Sequence, residues 1–238
     1  MTMHHTLPKV VTGGFPNSGT SFLTRLVVQL GFSPGPQRGL KRADAHNRYG
    51  YFEYLPLRNA IYEELGLGPF NENNEMAYRD LDLSQHPLLP SKIMDMVGHD
   101  QVEVFKDNSL PYTCLLYPPS TKFLVVKRDV NAIYKSPQKG GNPGFTCSLE
   151  KLDKMHERYY EKLTNAGVDM LIVQYEDFFD DFNSVFSMIC SHCGVIPTHD
   201  LQESCRNIFQ PRSSQNRLTR LLNGIKICTK MIIRKIQN

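Results

Sequence analysis

"GGFPNSGTSF" at residues 13–22 decides the reading of this chain. An apolar run, "KVV" at 9–11, precedes it, and a second, "FLTRLVVQLGF" at 22–32, follows. That is the order of a buried strand, a glycine turn and a helix. A phosphate-binding loop has the pattern G-x-x-x-x-G-K-[ST], and Gly14 to Ser21 reads G-F-P-N-S-G-T-S. Glycine spacing and final hydroxyl fit, whereas Thr20 takes the lysine position. Backbone N–H groups of such a loop, with the helix N-terminus behind them, hold a dianion without any lysine. Hydrolysis of a γ-phosphate needs that lysine and a magnesium ion held by a second acidic strand, and no such strand is evident. Phosphate binding survives the substitution; triphosphate chemistry does not.

Outward from the loop, strands and helices alternate. "TSFLTRLVVQLG" reads as a helix with Leu23, Leu26, Val27 and Leu30 on one face and Gly31 as its stop. "YFEYLPLRNAIYEELGL" becomes helical after Pro56, and residues 68–100 read as an insertion or lid with one helix, "PSKIMDMVG". "VEVFKD", "KFLVVKRD" and "DMLIVQYEDF" are apolar runs with charged ends, as buried parallel strands are. "VNAIYKS", "SLEKLDKMHERYYEKLTNAG" and "DFNSVFSMICSHCG" read as helices, and "KGGNP" as a loop. The expected fold class is α/β, a mainly parallel central sheet flanked by helices, in a single domain over 1–238.

Composition narrows the function classes. The chain has 238 residues, 40% hydrophobic and 21% charged, ordinary values for a globular enzyme-sized domain. A net charge of +3 gives no argument for nucleic acid as a partner. No apolar stretch has the length of a membrane span, and no hydrophobic leader precedes the first strand. Six cysteines form no compact disulfide framework, so reduced thiols and a cytoplasmic location are expected. "CSHC" at 190–193 invites a zinc reading, but Val185, Phe186, Ile189, Cys190 and Cys193 share an apolar helical face and a second ligand pair is missing. No metal site is expected. After Glu203 the chain has no acidic residue, and 215–238 reads as a basic C-terminal helix. It either packs on the domain or makes peripheral contact with an anionic membrane or a protein; oligomeric state is open.

"KFLVVKRDVNAIYKS" places Arg128 at the end of a buried strand, where ligands bind in open α/β sheets, and Ser136 after a short helix. A guanidinium grips phosphate in bidentate fashion and a serine adds a neutral donor. Together, "FPNSGTSFL" and this segment resemble the 5′- and 3′-phosphate motifs of the PAPS-dependent sulfotransferases, P-K-S-G-T-T-W and a strand ending R-[DN]-P-x-x-x-x-x-S. "GYFE" at 50–53, "VFKDNSLPY" before the arginine strand and "LIVQYEDF" after it resemble further family segments in the family's order, over roughly 8–195.

The resemblance implies a P-loop NTPase-like sulfotransferase fold. It also implies 3′-phosphoadenylyl sulfate (PAPS) as sulfuryl donor, adenosine 3′,5′-diphosphate as product, a hydroxyl-bearing acceptor (small molecule, glycan or lipid), and no metal. Asn17, Ser18, Gly19, Thr20 and Ser21 would hold the 5′-phosphate, Arg128 and Ser136 the 3′-phosphate with help from Arg212 in "QPRSS", and Phe22 would stack on adenine. Asn17 stands where relatives have a basic residue, and Lys106 is the nearest replacement for that charge. The family's histidine is also replaced, by Asn108. Transfer needs positioning and charge stabilisation, and a base for the hydroxyl proton. Glu53 in "YGYFEY" is the first candidate, with burial expected to raise its pKa; Asp107 is second, and His46 and His99 are lesser ones. Residues 37–100 and the 137–148 loop should form the acceptor pocket. Two alternatives stay open: a P-loop nucleotide kinase or NTPase, and a non-catalytic nucleotide-binding scaffold.

Overall fold

The computed structural model describes residues 8–43, 47, 50–67, 82–136, 145 and 147–208. Among these, four strands form one sheet: β1 (Val10–Gly13), β2 (Val104–Lys106), β3 (Lys122–Lys127) and β4 (Met170–Gln174). Their order is β2-β1-β3-β4 and every pairing is parallel. Val11 lies opposite both Phe105 and Phe123, and Thr12 opposite Lys106 and Leu124. Both faces of the central strands are covered, so their residues form near-continuous apolar runs rather than alternating ones. All of β1 and β2 is buried.

Helices fill the connections. They are α1 (Thr20–Gln29), α2 (Leu55–Leu65), α3 (Leu89–His99), α4 (Leu110–Thr113), α5 (Val130–Tyr134), α6 (Leu149–Asn165), α7 (Asp177–Asp180) and α8 (Phe182–Cys193). α1 buries Leu23, Leu26 and Val27, the face its periodicity predicts. The hydroxyl of Thr24 on this helix donates to Thr20 O at 2.8 Å and lies 2.7 Å from that of Thr12, fixing α1 on β1. α6 begins at Ser148, whose side chain accepts from Lys151 N, and α8 at Asp181, which accepts from Ser184 N. The expected helix "PSKIMDMVG" is α3, with Ile93 and Val97 fully buried beside Leu57 and Ile61 of α2. Residues 68–81 of the expected insertion lie outside the described residues. α4 was not expected, being four residues long.

A second unit begins at His199. Its described part is α9 (His199–Ile208), a helix that the sequence reading did not include. The expected helix at 215–238 lies outside the described residues.

β1 leads on to β2 on one side, whereas β3 leads on to β4 on the other. The chain thus changes direction between β1 and β3, and a crevice at the carboxyl ends of those two strands is the place for a ligand. The 13–22 loop leaves β1 there, and Arg128 leaves β3 there.

Candidate active site at the strand ends

The loop after β1 has a shape that its residues dictate. Gly14 crosses β3 so closely that a Cβ on it would lie 2.5 Å from Val126 O, and Gly19, at φ 97°, would press a Cβ to 2.6 Å from the Tyr175 ring. Asn17 also has positive φ, 66°, which asparagine tolerates better than most residues. Phe15 anchors the loop in the core: its N–H donates to the Tyr160 hydroxyl at 3.2 Å, and that hydroxyl donates to Val126 O at 2.7 Å. No side chain caps α1. Arg128 Nε at the end of β3 is buried without a hydrogen-bond partner, and Ser18 Oγ in the loop is buried beside the Tyr160 hydroxyl. Arg128 donates from Nη1 to Asn17 O at 3.0 Å, and its guanidinium carbon lies 4.8 Å from the centre of the Tyr175 ring. An orphaned buried donor is costly and rare, and phosphate oxygens are the acceptors that such a donor and the loop's N–H groups call for. The residues present fit such a group.

Lys106 ends β2 and reaches the same loop. Its Nζ donates to Ser21 Oγ at 3.1 Å and to Glu53 Oε1 at 3.0 Å, with both charged side chains buried. Glu53 Oε2 accepts from Arg58 Nη1 at 2.8 Å and lies 3.9 Å from Lys41 Nζ. Lys41 comes within reach because its N–H donates to Glu53 O at 2.9 Å and Leu40 bridges Tyr54. Phe52, at φ 54°, holds a conformation costly for an aromatic residue in the middle of this segment.

This geometry reverses the expected pKa of Glu53. Burial alone would raise it, but the charge and hydrogen bond of Lys106, then Lys41 and Arg58, outweigh burial and hold the carboxyl below its usual range. Burial pushes the Lys106 ammonium below the usual lysine value, against the pull of Glu53.

Other expected residues take varied places. Asp107 accepts from Ser109 N, Ser109 Oγ, Thr113 Oγ1 and Tyr117 Oη, so its oxygens are engaged in tying β2 to the segment after it. Asn108 Oδ1 is buried without a partner. Ser136 follows α5, its N–H bonded to Ile133 O. Phe22 meets Phe178 edge-on with ring centres 5.0 Å apart, and Tyr175 at 6.4 Å. His99 is exposed and pairs with Asp100 at 3.0 Å. His46, Arg212 and the 137–144 part of the expected acceptor loop lie outside the described residues. Cys190 is buried on α8, and His192 Nε2 lies 3.0 Å from Phe123 O.

Sequence reasoning missed Lys41, Arg58, Tyr175 and His156. No motif marks the first two, which a turn and a strand bridge bring to Glu53. Tyr175 was seen only as part of Y-E-D. His156 is buried against Phe15 and Tyr160, its Nε2 without a partner.

No family model and no curated protein matches the chain. Among solved structures, the sulfotransferase domain of the Synechococcus PCC 7002 olefin synthase superposes with a TM-score of 0.51 at 18% identity, over 86% of this chain and 78% of that one. This is the sulfotransferase fold. A Mycobacterium tuberculosis H37Rv sulfotransferase aligns at TM-score 0.49 and 16% identity, over 83% of this chain and 70% of that one. A mouse sulfotransferase complexed with PAP aligns at 0.45 and 13%, over 84% and 63%. No helix among the described residues is long and apolar enough to cross a membrane.

Proposed function

We propose that the chain is a PAPS-dependent sulfotransferase acting on a hydroxyl acceptor. One observation carries the reading: the buried, unpartnered Arg128 Nε stands at the strand end beside the glycine loop, with the Lys106 ammonium on the loop's last hydroxyl. When bound, PAPS supplies the sulfuryl group, whose sulfur passes from the 5′-phosphate oxygen to the acceptor oxygen. The loop from Asn17 to Ser21 and the first turn of α1 hold the 5′-phosphate; Arg128 and Ser136 hold the 3′-phosphate, and Phe22 offers an aromatic edge to adenine.

Lys106 then supplies the charge that Asn17 lacks, at the oxygen where negative charge develops. Glu53 takes the proton of the attacking hydroxyl. Each of its oxygens already accepts one hydrogen bond and keeps a second lone pair. Its cations hold it ionised at neutral pH, with a proton affinity below that of an ordinary glutamate. Asp107, whose oxygens serve its neighbours, positions the end of β2. The buried thiols of Cys114 and Cys190 are both free and pushed up to about 11, chiefly by burial, which leaves them unreactive.

The test is formation of adenosine 3′,5′-diphosphate from PAPS in the presence of a chelator and a mixture of hydroxyl acceptors. The reading expects turnover that Lys106→Met lowers by about 10²–10³-fold, as removal of one charge-stabilising donor does. Turnover of ATP with magnesium, and none of PAPS, would replace it with the kinase reading.

A further inference from the structure

We propose that the acceptor carries an oxyanion, a carboxylate, sulfate or phosphate, which Lys41 and Arg58 receive beside the reacting hydroxyl. The proposal rests on the sulfuryl-transfer reading and names the class of molecule that the site takes.

Three cations converge on one carboxylate. Lys106 meets Glu53 Oε1, and Arg58 and Lys41 meet Oε2. Among the described residues, none of the three makes an ion pair with any other carboxylate. Asp107, next in the chain to Lys106, accepts from hydroxyls and an N–H group instead. Charges of one sign packed this closely repel, and Lys41 and Arg58 both disfavour the Lys106 ammonium. The surplus is positive, and an anion relieves it.

The carboxylate also divides the cations into two sets. Lys106 lies on the side of the donor loop, bonded to Ser21. Lys41 and Arg58 lie on the far oxygen. Exposure falls steadily along this line: the side chain of Lys41 is 40% exposed, that of Arg58 29%, that of Glu53 8% and that of Lys106 4%. A molecule entering from solvent meets Lys41 and Arg58 first, Glu53 next and the loop last. With its hydroxyl at Glu53, its body lies against the two outer cations. The Tyr51 ring, 4.0 Å from Lys41 Nζ and 5.9 Å from Lys106 Nζ, flanks the same path. The arrangement is built in by the backbone link between Lys41 and Glu53. Charge that served the donor alone would sit on the loop side of the carboxylate.

The experiment titrates inorganic sulfate, by calorimetry, into the full chain saturated either with adenosine 3′,5′-diphosphate or with PAPS. Wild type should bind sulfate in both complexes. Lys41→Met, which keeps the Arg58–Glu53–Lys106 chain intact, should weaken sulfate about 10-fold or more while leaving nucleotide affinity within about 2-fold, as loss of a charged hydrogen-bonding partner predicts. Arg58→Gln should do likewise. Sulfate bound beside the diphosphate but excluded by PAPS would overturn the proposal, since the cations would then serve the donor's own sulfonate. Sulfate binding that is absent in wild type, or unchanged in both variants, overturns it as well. Failure of both nucleotides to bind wild type removes the donor reading and the proposal with it; nucleotide binding without sulfate binding removes the proposal alone.

Discussion

Glu53 holds Lys106 on one oxygen and Arg58 on the other, and its titration follows from that. Its folded-state pKa lies below the ordinary value of 4.5. Its ionisation therefore stabilises the fold fully above pH 4.5, and that contribution is lost as pH falls through the lower folded value. Acid unfolding of wild type should steepen below pH 4.5, and Glu53→Gln should flatten that part of the profile. The same substitution leaves Lys106 buried without its counter-charge, so denaturant unfolding at neutral pH should show a loss of about 3 kcal/mol or more. A second residue-scale outcome concerns the loop. Gly19→Ala puts a methyl group into the Tyr175 ring at a φ of 97°. It should cost about 1–3 kcal/mol in denaturant unfolding and weaken nucleotide binding.

At the scale of elements, single side chains join the loop and the strands to their neighbours. The Tyr160 hydroxyl of α6 links Phe15 N–H to Val126 O. Tyr160→Phe leaves both groups buried and unpaired, for a loss of about 1–3 kcal/mol, read by urea unfolding. Asp107 gathers Ser109, Thr113 and Tyr117 around the end of β2. Asp107→Ala should destabilise by about 3 kcal/mol, whereas Asp107→Asn, which keeps the shape and one acceptor oxygen, should lose less and retain turnover. A proton-accepting role would instead abolish turnover in the asparagine variant with stability kept.

Elements with one strong local signal were legible. β1, β3 and β4 are apolar runs bounded by glycine or charge, and α1, α6 and α8 carry full helical faces with glycine just beyond their ends. α4 is too short for periodicity and depends on Asp107. The loop and Arg128 were legible because each sits beside a strand with a recognisable spacing. The cation set on Glu53 was not, since Lys41, Arg58 and Lys106 come from three separate segments joined by a tertiary bridge. The direction of the Glu53 pKa was missed for the same reason: burial is guessed from an aromatic setting, but counter-charges are set by the fold.

Over the whole molecule, the parallel sheet brings three strand ends to one crevice, and each contributes a different piece of chemistry. β1 gives the loop, β2 gives Lys106, and β3 gives Arg128. None of these alone distinguishes a sulfotransferase from another phosphate-binding enzyme; the proposed reading asks in addition for a second phosphate on the ligand, held by Arg128. The decisive measurement is calorimetric binding of adenosine 3′,5′-diphosphate and of AMP, which differ only in the 3′-phosphate, to wild type and Arg128→Ala in the presence of a chelator. The account predicts that wild type prefers the diphosphate by about 10–10²-fold and that Arg128→Ala loses most of that preference while AMP affinity stays similar. Equal binding of the two nucleotides by wild type, or a preference that survives Arg128→Ala, would contradict it.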